Sequence, residues 1–416
     1  MTENLFSIVQ KCRVCHSSDF FNFLDLGSTP PADQFLTEKE LLLPETYYPL
    51  SVQLCHECEL VQLGQVVHHE ILYRNEYPYE SSTTKQGKRH WKEFADSVCK
   101  DFQLSSEDLV VDIGSNVGVL IEYFKKNGTR ILGVDPASNI VEIANGRGIE
   151  TWDNFFDIET AKKILASKGE AKVITGTNVF AHIDDLHLFM QAVDRLLCDD
   201  GIFVFEAPYL GNLLKLLEYD TIYHEHLSYL SLKPVSILAE KFGMEIIDVQ
   251  ERDIHGGSFR VFLARRGLRK TNERVELFRH KEQSLNFTNQ AKLENFAIAV
   301  EQNKQELRAI LHDLKSKGKR IAAVSTPAKG MTLLNYCKIG TELIEFATEK
   351  SPLKIGKYTP GTHLPILPDS ALEENQIDYA LLLAWNFADE IIGNLSSYRK
   401  NGGKFIMPIP HPKIIE

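Results

Sequence analysis

The stretch that most restricts the fold runs from Leu109 to Asp135, "LVVDIGSNVGVLIEYFKKNGTRILGVD". A buried-type strand ends in a turn carrying Gly114 and Gly118. An amphipathic helix follows, with Val119, Leu120, Tyr123 and Phe124 on one side, and a second strand finishes on Asp135. Strand, glycine turn, helix and a strand-tip acid together open a doubly wound α/β sheet that holds a nucleoside. The glycines let the ligand approach the backbone, and the carboxylate accepts the ribose hydroxyls. The turn Gly114-Ser115-Asn116-Val117-Gly118 is GxxxG, not the GxGxxG of dinucleotide sites, and no Lys-Ser/Thr pair follows to cradle phosphate.

The form D-x-G-x-x-x-G suits S-adenosylmethionine (SAM), a cofactor with no pyrophosphate to seat. Contacts to it are expected from Gly114, Ser115, Asn116, Gly118 and Asp135, with Asn178 from a later loop. Further strands are expected at Ile149–Trp152, Val173–Thr175, Ile202–Phe205 and Met244–Val249, and at 258–264 ("SFRVFLA"). With the first two they make the seven strands of a SAM methyltransferase sheet. Ligands of such sheets sit beyond the C-terminal strand ends. At that edge "TGTNVFAHIDD" brings Asn178 and His182. The long connection after the fifth strand brings "YDTIYHEHLSY", residues 219–229, with three tyrosines, two histidines and two acids. A lone loop histidine is more often structural than functional, but two histidine-bearing loops converge on this one edge.

Four of the seven cysteines form two CxxC pairs, Cys12 with Cys15 and Cys55 with Cys58. Two CxxC turns complete a four-thiolate tetrahedral site, so structural zinc is expected. No coordination position stays open, and the metal is not catalytic. Cys99, Cys198 and Cys337 stand alone and read as core residues.

A formal net charge of −11 argues against a broad nucleic-acid surface. There is no apolar run of about 18 residues or more, so no membrane partner is expected. The N-terminus lacks a signal-peptide pattern, and a cytoplasmic location is the expectation. Residues 268–316 are charged and helical in pattern. They lead into a second α/β unit, "RIAAVSTPAKGMTLLNY" onward, that has no cofactor fingerprint.

Several segments together resemble the sugar C-methyltransferases that act on nucleotide-linked deoxyketosugars: "CRVC…LDLGSTPPADQFL…LCHEC", "DIGSNVGVL", "NVFAHIDDL", "EAPYLGNLLKLLEYDTIYHEHLSYLS", "HGGSFRVF", "PAKGMTLLNY" and "PGTHLPI". The YHEH and HGGS blocks are specific to that family. The resemblance implies α/β architecture in three parts: a zinc-binding module (1–74), a class I SAM-binding core (75–267), and a helical connector with a Rossmann-like module that binds the nucleotide (268–416). It implies His226 as general base beside Glu225 and Tyr223, His182 near the substrate, and Tyr77 or Tyr79 closing over the site. Substrate contacts are expected from His224, His255, Ser258, Lys329 and His363. The implied substrate is a nucleotide-linked ketosugar, dTDP being the expected carrier, and the implied assembly is a monomer. Val117 stands where the family often has Asp. "STPAKGMTLLNY" stands where it often has "GAPAKGNTLLNY", which alters Ser325, Thr326 and Met331.

The chemistry fits the residues independently. To methylate carbon, a base must first remove a proton α to a ketone, and the enolate then attacks the SAM methyl. Histidine titrates in the right range for that base, and tyrosine or histidine donors can hold the oxyanion. Two rivals were weighed: an O- or N-methyltransferase on the same core, and a non-catalytic zinc and nucleotide scaffold. The first needs no such cluster of bases and leaves the third module unexplained. The second predicts a degraded glycine turn or a missing base, and neither is seen.

Overall fold

The computed structural model describes residues 5–73, 85–254 and 256–416. Tyr77, Tyr79 and His255 lie outside the described residues.

The zinc module contains β1 (Phe6–Ile8), β2 (Phe20–Thr29), β3 (Tyr48–Cys55), β4 (Val61–Leu63) and β5 (Gln65–Val67). β1 pairs with β5, and β2, β3 and β4 form an antiparallel sheet. The two CxxC turns are built alike. His16 and Glu59, each directly after the second cysteine, take the left-handed conformation (φ 66° and 61°). Each donates its N–H to the carbonyl of the first cysteine at 3.0 Å. The four Sγ atoms lie within 4.8 Å of one another, and Cys12–Cys58 and Cys15–Cys55 are each 3.4 Å apart. A tetrahedral zinc with bonds of about 2.3 Å needs sulfurs about 3.8 Å apart, so this donor set fits the ion.

The core contains β6 (Leu109–Ile113), β7 (Arg130–Asp135), β8 (Thr151–Asp153), β9 (Ala171–Thr177) and β10 (Leu197–Pro208). After β11 (Ser228–Tyr229) come β12 (Met244–Arg252) and β13 (Ser258–Arg265). Seven of these form one sheet in the order β12-β13-β10-β9-β6-β7-β8, with β13 antiparallel to both neighbours and the other pairs parallel. This is the class I SAM methyltransferase sheet. The chain reverses direction of build between β6 and β9, and the crevice there opens at the strand C-termini.

β11 belongs elsewhere. It pairs antiparallel with β4 of the zinc module, Ser228 against Gln62 and Tyr229 against Val61.

The last module contains β14 (Ile321–Val324), β15 (Ala347–Glu349), β16 (Ile366–Pro368), β17 (Tyr379–Leu382), β18 (Lys404–Met407) and β19 (Lys413–Ile415), ordered β16-β15-β14-β17-β18-β19. All pairs are parallel except β18–β19. Helices Glu273–Leu285 and Gln290–Ser316 connect it to the core. The longer helix buries Leu293, Phe296, Val300, Asn303, Leu307, Leu311 and Leu314. That spacing of three and four puts them on one face, so the charges occupy the other.

The first and last modules touch. Leu36 and Tyr358 exchange backbone hydrogen bonds at 2.9 and 2.8 Å, and the Gly361 N–H donates to the Glu45 carboxylate at 3.0 Å. Lys354 stands 3.9 Å from Asp33. No described helix is long and apolar enough to cross a membrane.

Four thiolates saturate one tetrahedral ion, so protein purified without chelator should carry one zinc per chain. Cys55→Ser should lose the metal and lower the melting temperature. Elemental analysis together with thermal unfolding checks this; a zinc-free wild type, or Cys55→Ser with full zinc, contradicts it.

Candidate active site

A cavity of about 1380 Å³ lies where the three modules meet. Single-ligand pockets usually span about 300–1,000 Å³, so this one has room for a cofactor and a second molecule.

The cofactor part is built on the tips of β6, β7 and β9. Gly114 has φ +63°, and a Cβ there would stand 2.2 Å from Val179 Cγ2, so only glycine closes this turn. Gly118 (φ +78°) abuts Ile149 and starts the helix Val119–Lys126; it supports the turn and is not on the cavity wall. Asp135 accepts the Asn116 N–H at 2.9 Å and the Ala137 N–H at 3.0 Å. Burial raises its carboxyl above the ordinary value, and the two N–H donors oppose the shift. Ser115 Oγ is buried without a hydrogen-bond partner among the described residues. Asn178 is held left-handed (φ 56°), its N–H donating to the Glu206 carbonyl at 2.7 Å. Val117 points into the apolar core. A glycine-only approach, a strand-tip carboxylate and an orphaned hydroxyl fit a nucleoside with a ribose diol.

The second part is the pair of histidine loops. Leu227 N–H donates to the Ala181 carbonyl at 2.8 Å, tying the two loops together. The rings of His182 and His226 are 4.9 Å apart. His226 Nδ1 lies 2.8 Å from the Thr221 carbonyl, and Nε2 lies 2.7 Å from the Tyr223 hydroxyl. A carbonyl only accepts, so Nδ1 carries the hydrogen. In the neutral ring Nε2 then holds the lone pair and Tyr223 donates to it. Burial lowers the pKa of His182 to about 4, so it is neutral at ordinary pH. Glu225 is buried and lines the same cavity. His224 also lines it, but its Nε2 faces the carbonyls of Tyr48 (3.3 Å) and Pro49 (3.2 Å) in the zinc module.

The third part comes from the last module. Lys329 lines the cavity at the turn after β14. Its ammonium sits 4.2 Å above the Trp385 ring and 3.5 Å from Asp220. Ser325 (φ 69°) and Glu349 line the wall beside it. Glu349 accepts the N–H and hydroxyl of Thr326 at 3.0 and 2.8 Å, much as Asp135 grips its own turn. Met331 is core.

Two expected substrate contacts stand off the cavity wall. Ser258 is fully buried and spends its hydroxyl on the Ile254 carbonyl at 3.2 Å, at the start of β13. His363 pairs with Glu45 at 3.0 Å and clasps the last module to the first. The sequence reading also passed over residues the structure brings in. Asp112, the first residue of the glycine motif, lines the cavity and bonds Thr175 at 2.6 Å; burial pushes its carboxyl up to about 7. The acid at the tip of β15, Glu349, occupies the strand position Asp135 holds in the core, a signal the sequence carried. Beneath Asn178, Glu206 is held by His90 (2.7 Å) and Arg260 (2.9 Å), both distant in sequence.

Fold and site define a SAM-dependent methyltransferase with a structural zinc module. Residues 12–73 match a family described as a putative zinc binding domain, 88–249 a methyltransferase domain, and 253–410 a C-methyltransferase C-terminal domain. The C-methyltransferase NovU of Streptomyces niveus is 37% identical over 408 residues, covering 98% of this chain and 97% of that protein. The chain belongs to this C-methyltransferase family. A ubiquinone biosynthesis O-methyltransferase of Colwellia psychrerythraea is 26% identical over 153 residues, covering 33% of this chain and 61% of that one. A SAM-dependent methyltransferase structure from Clostridium acetobutylicum covers 43% of this chain and 92% of its own at 15% identity and a TM-score of 0.35, a likeness too slight to add to the strand order above.

Two outcomes follow. Asp135→Ala should weaken binding of SAM or its demethylated product, S-adenosylhomocysteine, by about 1–3 kcal/mol, the scale of losing charge-assisted hydrogen bonds; calorimetry checks this. The second concerns pH. Burial holds His224 neutral down to about pH 4, the Pro49 and Tyr48 carbonyls opposing that shift, whereas the unfolded chain protonates near 6.5. Between those values the unfolded state takes up a proton that the folded state refuses, so this residue costs stability as pH falls through the window. The melting-temperature advantage of wild type over His224→Gln should therefore shrink between pH 7.5 and pH 5.

Proposed function

We propose that the enzyme methylates a carbon α to the ketone of a nucleotide-linked deoxyketosugar, with His226 as the enolising base. The observation that carries this reading is the His226 imidazole. Thr221 fixes its Nδ1–H, which leaves Nε2 as the basic atom, and it stands beside a neutral His182 on the wall of a cavity shared with the cofactor residues. SAM supplies an electrophilic methyl group when bound. The substrate C–H displaces the Tyr223 hydroxyl from Nε2, and Nε2 takes the proton. The electron pair passes to the ketone oxygen as an enolate. Tyr223 and neutral His182 then donate hydrogen bonds to that oxygen. His182 must be neutral for this, because a second imidazolium 4.9 Å from a protonated His226 would oppose proton uptake. With SAM bound, the enolate carbon would take its methyl group, the methyl–sulfur bond breaking and S-adenosylhomocysteine leaving as the neutral thioether while His226 keeps the proton.

Lys329 supports the nucleotide end of the reading, being a cation on the same cavity wall, on the module opposite the cofactor residues. The full-length likeness to a C-methyltransferase supports the carbon acceptor.

The test is proton exchange. In heavy water, with S-adenosylhomocysteine in place of SAM, wild type should wash deuterium into a dTDP-linked deoxyketosugar at one carbon. His226→Asn should bind both ligands and show neither exchange nor methylation. Near-normal turnover in His226→Asn would sink the assignment. Exchange without methylation would make His226 an organiser of methyl transfer instead.

A further inference from the structure

The base takes its orientation from one backbone carbonyl, Thr221 O, 2.8 Å from His226 Nδ1. That carbonyl belongs to a single 3-10 turn, Tyr219–Thr221. The backbone of the turn is bonded to the core, Tyr219 N–H to the Leu217 carbonyl at 2.8 Å, but its buried side chains reach the last module and the helix that leads to it. Asp220, fully buried, accepts the Trp385 Nε1–H at 2.7 Å and faces the Lys329 ammonium at 3.5 Å. Both partners belong to the last module, and Lys329 itself packs on the Trp385 indole. On its other side the turn is tied by the Tyr219 hydroxyl, which donates to Asn303 at 2.8 Å. Asn303 donates in turn to the Pro408 and Pro410 carbonyls at 2.9 and 3.0 Å. Burial raises the Asp220 carboxyl, and Lys329 and Trp385 oppose the rise.

We propose that Asp220 is a positioning residue: by latching the turn onto Trp385 and Lys329 it aims the Thr221 carbonyl at His226 and so sets which nitrogen of the base carries the hydrogen. This rests on His226 being the base. The last module thereby sets the tautomer of a catalytic group carried on another module. Without the latch the carbonyl shifts, the Nε2–H tautomer competes with Nδ1–H, and that fraction of enzyme presents an N–H to the substrate where a lone pair is needed.

The experiment reads the tautomer directly. Wild-type protein with 15N-labelled histidine and bound S-adenosylhomocysteine is examined by long-range 1H–15N NMR, with His226→Asn locating the His226 signals. Wild type should show the Nδ1–H form. Asp220→Asn should show the Nε2–H form mixed in, since asparagine keeps the size but loses the charge facing Lys329. Turnover should fall about ten- to a hundred-fold, the scale of a base displaced by about an ångström. Zinc content and S-adenosylhomocysteine affinity should stay within about twofold, a split that general unfolding would not give. Trp385→Phe, which removes the indole N–H together with part of the ring under Lys329, should move the same signals, and the double variant should lose little more than either single one. If Asp220→Asn does not fold, Trp385→Phe carries the same test. Unchanged His226 signals in the variant that folds overturn the proposal. Should His226→Asn be dead while Asp220→Asn and Trp385→Phe turn over normally, the base stands and the positioning role falls. Should His226→Asn remain active, the base reading itself falls.

Discussion

Residues 219–229 cannot satisfy their polar groups among themselves, and the architecture follows from where those groups go. β11 donates to and accepts from β4 of the zinc module. The Leu227 N–H goes to Ala181 in the core, and its carbonyl takes the Leu63 N–H from the zinc module. Asp220 and Tyr219 go to the last module and its connecting helix. A buried backbone or carboxylate group left unpaired costs on the order of 1–3 kcal/mol, so each of these ties favours the docked arrangement. One eleven-residue segment therefore fixes three modules around a shared cavity.

None of the four zinc-site cysteines lines the cavity, and the part the zinc plays is structural. Four sulfurs close its coordination and leave it no reactive position. What it holds is the β3–β4 turn, and β4 is the strand on which β11 lies. The metal stabilises a platform, and the segment that carries His226 is stitched to the platform edge.

Electrostatics completes the picture. Of the histidines on the cavity wall, burial keeps His182 and His224 neutral to about pH 4. The carboxylates around them show the opposite effect of burial: Asp112 is pushed up to about 7 and Glu218 to about 8, with Lys329 opposing the second shift. The low-dielectric site resists added charge of either sign.

The sequence alone determined what local chemistry fixes. Two CxxC turns make a four-sulfur site because each pair needs only its own short turn. The glycine turn and Asp135 are legible because strand, turn, helix and strand tip follow one another within a single βαβ unit. The strand count and the second α/β unit came from short apolar runs. Structure alone decided the rest, because those contacts join residues from some fifty to more than a hundred and fifty positions apart and leave no spacing to read. Trp385 meets Asp220 across 165 residues, and Arg260 and His90 meet Glu206 across 54 and 116. β11, two residues long, has too little pattern to announce a strand, and His363 and Ser258 look like site residues until packing assigns them to a clasp and a strand start. Residue identity set what each group could do. Long-range packing decided which groups face one another, and with that the nitrogen of His226 that carries the hydrogen.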